Sequence, residues 1–242
     1  PKWVCFPDEN AKDIAISCVA EFIAHTLFIF TSCGAATSTS RFLTPGPTQV
    51  LIGLVFGYTI TALVFAVGHV SGAHINSAVT IGLWSSGNVS LSRMIAYVLT
   101  HFAAACAAAG LLRGLIPETL GFPGCYAANF VQPNVHIAQA VFAEFVATFF
   151  LVFVVTAAYD ALRSNNAQVP ISIGLTVAVG HFLLVPLTGT SINPTRSFAS
   201  AVASSNVAGC EQVWPDLWIF FVGPICGGVL GSVVYEFLLA PK

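Results

Sequence analysis

Six long runs dominated by apolar residues leave this chain little freedom in what it can become: roughly Ile14–Ser38, Gln49–Val67, Leu91–Arg113, His136–Tyr159, Val169–Pro186 and Leu217–Leu239. Each is close to the length, about 20 residues, that a helix needs to cross a bilayer. Of 242 residues only 7% are charged and 56% are hydrophobic, whereas a soluble domain is about a quarter charged. Such a chain cannot cover its surface against water, so the lipid bilayer is its expected solvent. Hydrocarbon offers the backbone no hydrogen bonds, so the spans must be helices or a closed barrel, and the run lengths select helices. The net charge of −2 comes without any basic block, which excludes nucleic acid as a partner.

Two further apolar stretches, Asn76–Trp84 and Asn193–Ala203, are too short to cross. Each begins at an Asn, a residue that caps helix N-termini, and Pro194 suits the first helical position after it. They read as re-entrant half-helices. The halves of the chain also repeat: "VAEFIAHTLFIF" from Val19 matches "FAEFVATFFLVF" from Phe142, and "AVGH" occurs at Ala66 and at Ala178. The expected fold is therefore an all-α membrane protein of one channel domain. It has six transmembrane helices and two half-helices in an inverted repeat, with halves at about residues 10–118 and 134–240. Sites in such repeats lie near the midplane, at half-helix ends.

With six spans, both termini share a side. Lys2, Lys12, Arg93, Arg163 and Lys242 then lie together, against Arg41 and Arg113 opposite, which predicts cytoplasmic termini. None of the seven Cys forms a C-x-x-C pair. Most sit in apolar runs as small hydrophobes. Cys125 and Cys210 fall in connecting segments and could meet outside the membrane; the sequence leaves both the free and the paired state open.

The polar residues of the apolar runs locate the chemistry. Two half-helix N-termini meeting at the centre bring two positive dipole ends together. The Asn76 and Asn193 amides then offer N–H donors to a small neutral permeant, water, and disfavour cations. The preceding segments, Gly72, Ala73, His74 and Ile75 with Gly189, Thr190, Ser191 and Ile192, are expected to be extended, with a ladder of carbonyl acceptors along the pore. Glu21 and Glu144 are costly inside spans and are expected to hold N–H groups of their own half's loop. His69 and His74 read as structural. His25, His101 and His136 lack ligand spacing, so no metal and no cofactor is expected. No acid, base and nucleophile converge, so an enzyme is not expected.

Over almost its whole length the sequence resembles the aquaporin (major intrinsic protein) family. The resemblance rests on the two "AEF" triplets, "GHVSGAHINSAVT", "INPTRSF" and "GPICGGVLG". The family's two Asn-Pro-Ala signatures stand here as Asn76-Ser77-Ala78 and Asn193-Pro194-Thr195. Ser77 removes a packing ring from the centre, and Thr195 adds bulk beside Arg196. The resemblance implies one pore per subunit of a homotetramer, with residence in the plasma membrane part of the same expectation. It also implies an outer constriction of Phe56, His181, Thr190 and Arg196, the set of the water-selective subgroup. Two alternatives remain beside a water channel: a broader channel for glycerol, peroxide, urea or ammonia, and a junctional structural protein.

Overall fold

The computed structural model describes residues 10–39, 45–117, 119, 122–160 and 166–240. Six helices among them are long and apolar enough to cross a membrane. In chain order they are α1 (Ala11–Thr39), α2 (Pro45–Ser71), α4 (Leu91–Leu115), α5 (Ile137–Tyr159), α6 (Val169–Thr188) and α8 (Val213–Leu239). The half-helices are α3 (Ser77–Ser85), between α2 and α4, and α7 (Pro194–Ala203), between α6 and α8. Among the described residues there is no β-strand. Large apolar side chains such as Phe65, Leu99, Phe142 and Leu238 face outward, as a lipid solvent requires. Lys2, Arg41, Arg163 and Lys242, on which most of the charge asymmetry rests, lie outside the described residues.

Several ends differ from the sequence reading. The fifth span does not stop at Pro186. Proline deletes only its own N–H bond, and the helix runs on to Thr188, where left-handed Gly189 closes it with a bond from its N–H to the Val185 carbonyl (3.1 Å). The last span begins four residues early, at Val213. Its last turn, Tyr235–Leu239, widens to a π-helix.

The packing follows the inverted repeat. In the first half α1 lies against α2 and α4; in the second α5 lies against α6 and α8. The half-helices cross over, α3 packing on α8 and α7 on α4. Small residues allow these approaches. A Cβ placed on Gly227 of α8 would stand 2.1 Å from the Phe145 carbonyl of α5, and one on Gly82 of α3 would stand 2.7 Å from the Gly228 carbonyl. Between the halves, α2 meets α6, where a Cβ on Gly57 would lie 2.6 Å from the Gly174 carbonyl.

Cys125 and Cys210 are joined in a disulfide, 85 residues apart in sequence. It ties the α4–α5 connection to the α7–α8 connection. Both connections lie on one side of a six-span topology. Cys18, Cys33, Cys106 and Cys226 are free thiols.

Candidate functional site: a polar passage between the half-helices

Each half-helix is capped by its own Asn, and the two caps are cross-linked. The Asn76 Oδ1 accepts the Ala78 N–H (2.8 Å), while its Nδ2 donates to the Ile192 carbonyl (2.7 Å). The Asn193 Oδ1 accepts the Arg196 N–H (3.3 Å), while its Nδ2 donates to the Ile75 carbonyl (2.9 Å). An amide nitrogen carries two protons. Each Asn therefore spends one on the opposite loop and keeps one. Thr195 does not crowd Arg196: its hydroxyl turns back to the Asn193 Oδ1 (2.9 Å) and joins the cap. The Ser77 hydroxyl is buried without a protein partner.

The loops that lead into the caps are not extended. Gly72, Ala73 and Ile75 have φ of 86°, 50° and 51°, and Gly189, Thr190 and Ile192 have 75°, 58° and 45°. An extended segment alternates its N–H groups from side to side. Left-handed residues instead turn successive N–H groups one way, into a concavity that fits an anion. Here the anion is a side chain. Glu21 accepts the N–H groups of His74 (2.9 Å) and Ile75 (2.7 Å) and the Ser71 hydroxyl (2.6 Å). Glu144 accepts those of Ser191 (2.9 Å) and Ile192 (2.8 Å) and the Thr188 hydroxyl (2.6 Å). Left-handed β-branched residues are uncommon and persist where their surroundings over-determine them. These contacts do so.

A narrow cavity runs past the caps. Its lining combines the loop and cap residues Ala73, His74, Ile75, Asn76, Ser191, Ile192 and Asn193 with apolar side chains of the spans, among them Ile60, Val64, Leu151, Val155, Ile173 and Val177, and with His181. Nearly all the polar groups of the lining thus come from the loops and caps. Phe56 and Arg196 gather near His181. The Phe56 and His181 rings are 4.1 Å apart, and the Arg196 guanidinium lies 5.2 Å from the Phe56 centroid. His181 donates Nδ1–H to the Val177 carbonyl (2.8 Å), which leaves Nε2 as the free nitrogen. Three wholly buried polar atoms here have no protein partner: His181 Nε2, Thr190 Oγ1 and Arg196 Nε.

Several contacts at the site have no counterpart in the sequence reading. Arg196 donates to Asn129 in the α4–α5 connection, and the Ser197 hydroxyl lies 2.7 Å from the same Asn129 oxygen. No local pattern marks Asn129. His101 is bonded to Glu21 (2.9 Å) and His25 to the Ile75 carbonyl (2.8 Å). A His in an apolar span needs a buried polar partner; Glu21 serves His101, and the Ile75 carbonyl serves His25. His74 is held at both ring nitrogens, by Thr80 and Tyr159, each at 2.9 Å. Among the described residues no cluster could hold a metal ion.

A bundle whose two halves each return a half-helix to the centre, beside a narrow cavity whose polar groups come from the loops and caps, is a membrane channel. The chain belongs to the major intrinsic protein family, the aquaporins, whose profile matches residues 10–235. It is 40% identical over 232 residues to aquaporin-1 of Sus scrofa, and 38% identical over 229 residues to aquaporin-1 of Homo sapiens. Each comparison covers 93% of this chain and 82% of the relative. Its fold is similar to the X-ray structure of the aquaglyceroporin from Plasmodium falciparum, with a TM-score of 0.82. That likeness is at 20% identity and covers 94% of this chain and 98% of the other. Members of this family are channels and not enzymes.

Proposed function

We propose that this chain is a water-selective channel of the plasma membrane. The observation that carries the reading is the constriction, where His181 Nε2, Thr190 Oγ1 and Arg196 Nε are buried without protein partners against the Phe56 ring. Buried polar atoms are almost always hydrogen-bonded, so these are offered to a small polar permeant. Glycerol would have to seat its carbon chain in the same gap, where only one ring is apolar. The Arg196 guanidinium is positively charged and repels cations.

Further in, the spare N–H of Asn76 and of Asn193 meets the oxygen of a passing water at the positive ends of α3 and α7. The water's protons then point away from the centre on both sides, which breaks proton hopping. The carbonyls of Gly72, Ala73, His74, Gly189 and Ser191 serve as acceptors on either side. Glu21 and Glu144 fix the loops by taking the N–H groups. The unit of function is a homotetramer with one pore per subunit. The Cys125–Cys210 disulfide supports cytoplasmic termini, because disulfides persist on the oxidising side and six spans put that bridge opposite the termini.

The test is the double variant His181→Ala with Arg196→Ala in proteoliposomes. It should pass glycerol, whereas the unaltered protein should not. Glycerol exclusion that survives both substitutions would place the selective step elsewhere.

A further inference from the structure

Each half ties a buried arginine to the last carbonyl of a span through one relay side chain. In the first half Arg93 Nη1 donates to the Tyr97 hydroxyl (2.6 Å), which donates to the Ser71 carbonyl at the end of α2 (2.7 Å). In the second half Arg196 Nη1 donates to Asn129 Oδ1, and Asn129 Nδ2 donates to the Thr188 carbonyl at the end of α6 (3.3 Å). The relays stand in different places. Tyr97 belongs to the span α4, whereas Asn129 belongs to the α4–α5 connection and is nonetheless buried.

Three ties fix that connection. Cys125 is bridged to Cys210, the Val131 N–H donates to Asp216 of α8 (2.8 Å), and the Gln132 N–H donates to the Leu187 carbonyl (3.0 Å). Asn129 lies between the first tie and the other two. Its amide fits only one way round, because Arg196 requires the oxygen and the Thr188 carbonyl requires the nitrogen. The oxygen has two lone pairs. Arg196 takes one and the Ser197 hydroxyl, at 2.7 Å, takes the other. Ser197 Oγ in turn lies 2.6 Å from the hydroxyl of Ser191, a residue of the cavity lining. The further bond of Arg196, to the Ser200 hydroxyl, is longer at 3.5 Å.

We propose that Asn129 is a positioning residue for selectivity: it holds the Arg196 guanidinium in its place beside Phe56, so that the α4–α5 connection sets which solutes pass. The inference rests on the reading of Arg196 as part of the constriction. An amide suits the task because it is neutral. It accepts from the guanidinium and leaves the positive charge in force against cations. A carboxylate at the same place would hold Arg196 at least as firmly but would cancel that charge. An apolar side chain would leave the charge and release the guanidinium, and the gap would widen.

Two variants of the whole protein in proteoliposomes separate these effects. In Asn129→Leu the ratio of glycerol to water permeability, read by stopped-flow light scattering, should rise roughly tenfold, the scale on which one pocket contact discriminates between close analogues. Asn129→Asp should still exclude glycerol, while its sodium leak, read with an enclosed sodium-sensitive dye, should rise severalfold. A role in folding alone would not split the two solutes between the two variants. An unchanged glycerol ratio in Asn129→Leu, or the same change in both variants, would overturn the proposal. If Asn129→Leu gives no folded protein, Asn129→Asp decides, and an unchanged sodium leak overturns it. The double variant His181→Ala with Arg196→Ala is measured alongside. Its exclusion of glycerol would sink the constriction itself, whereas glycerol passage in it without passage in Asn129→Leu would sink this inference alone.

Discussion

In the first half of the molecule a buried carboxylate, Glu21, takes four donors, one of them from His101 on α4. In the second half Glu144 takes three, and α8 packs Gly223 against it, where a Cβ would lie 2.9 Å from the Glu144 Cβ. The shared part is the hydroxyl and the two successive N–H groups. That part is what a left-handed loop needs if it is to end at a half-helix inside a membrane. The extra part, His101 with His25, is found in one half alone. The comparison separates what the architecture demands from what one half has added.

The largest effects should come from breaking the shared part. Glu144→Ala strands three buried donors and Glu21→Ala strands four. At about 1–3 kcal/mol for each buried group left unsatisfied, both should lose most of the folded protein, Glu21→Ala the more. Melting in detergent and yield of monodisperse protein measure this. A well-folded Glu144→Ala protein would contradict the role assigned to the shared part.

Next come the central amides. Asn76→Ala and Asn193→Ala each lose an N-cap and a bond to the opposite loop, about 2 kcal/mol together. The two melting temperatures should drop by similar amounts. A marked inequality would show that the cross-links are not equivalent.

Smaller again is the disulfide. Bridges of long loops stabilise soluble domains by about 2–4 kcal/mol. Here the spans stay inserted when unfolded, so Cys125→Ser with Cys210→Ser should cost less. Neither residue lines the passage, so water flux should be unchanged.

The smallest effect sharpens the contrast between the altered signatures. Thr195→Val removes a hydrogen bond to Asn193 and should cost about 1 kcal/mol. Ser77→Ala removes a buried hydroxyl that has no protein partner and should be neutral or slightly stabilising. The two melting curves, compared side by side, decide it.

The spans and half-helices were legible because lipid enforces run length and because the repeat shows itself twice. Asn76, Asn193, Glu21 and Glu144 stood out as polar residues at matching places in apolar surroundings. What the sequence hid was backbone handedness and long-range pairing. Ile75, Ile192 and Thr190 are β-branched residues that read as extended, yet tertiary bonds hold them left-handed. Asn129 and His101 reach their partners across 67 and 80 residues, and no local pattern encodes such a distance. The Cys125–Cys210 pairing was open for the same reason.

The most direct test of water selectivity is stopped-flow light scattering of proteoliposomes containing the unaltered chain, shocked first with sucrose and then with glycerol. The account predicts shrinkage much faster than in empty vesicles under both osmolytes, with no re-swelling in glycerol. Fast shrinkage followed by re-swelling in glycerol would contradict the constriction of Phe56, His181, Thr190 and Arg196, and flux no faster than in empty vesicles would contradict the channel for water itself.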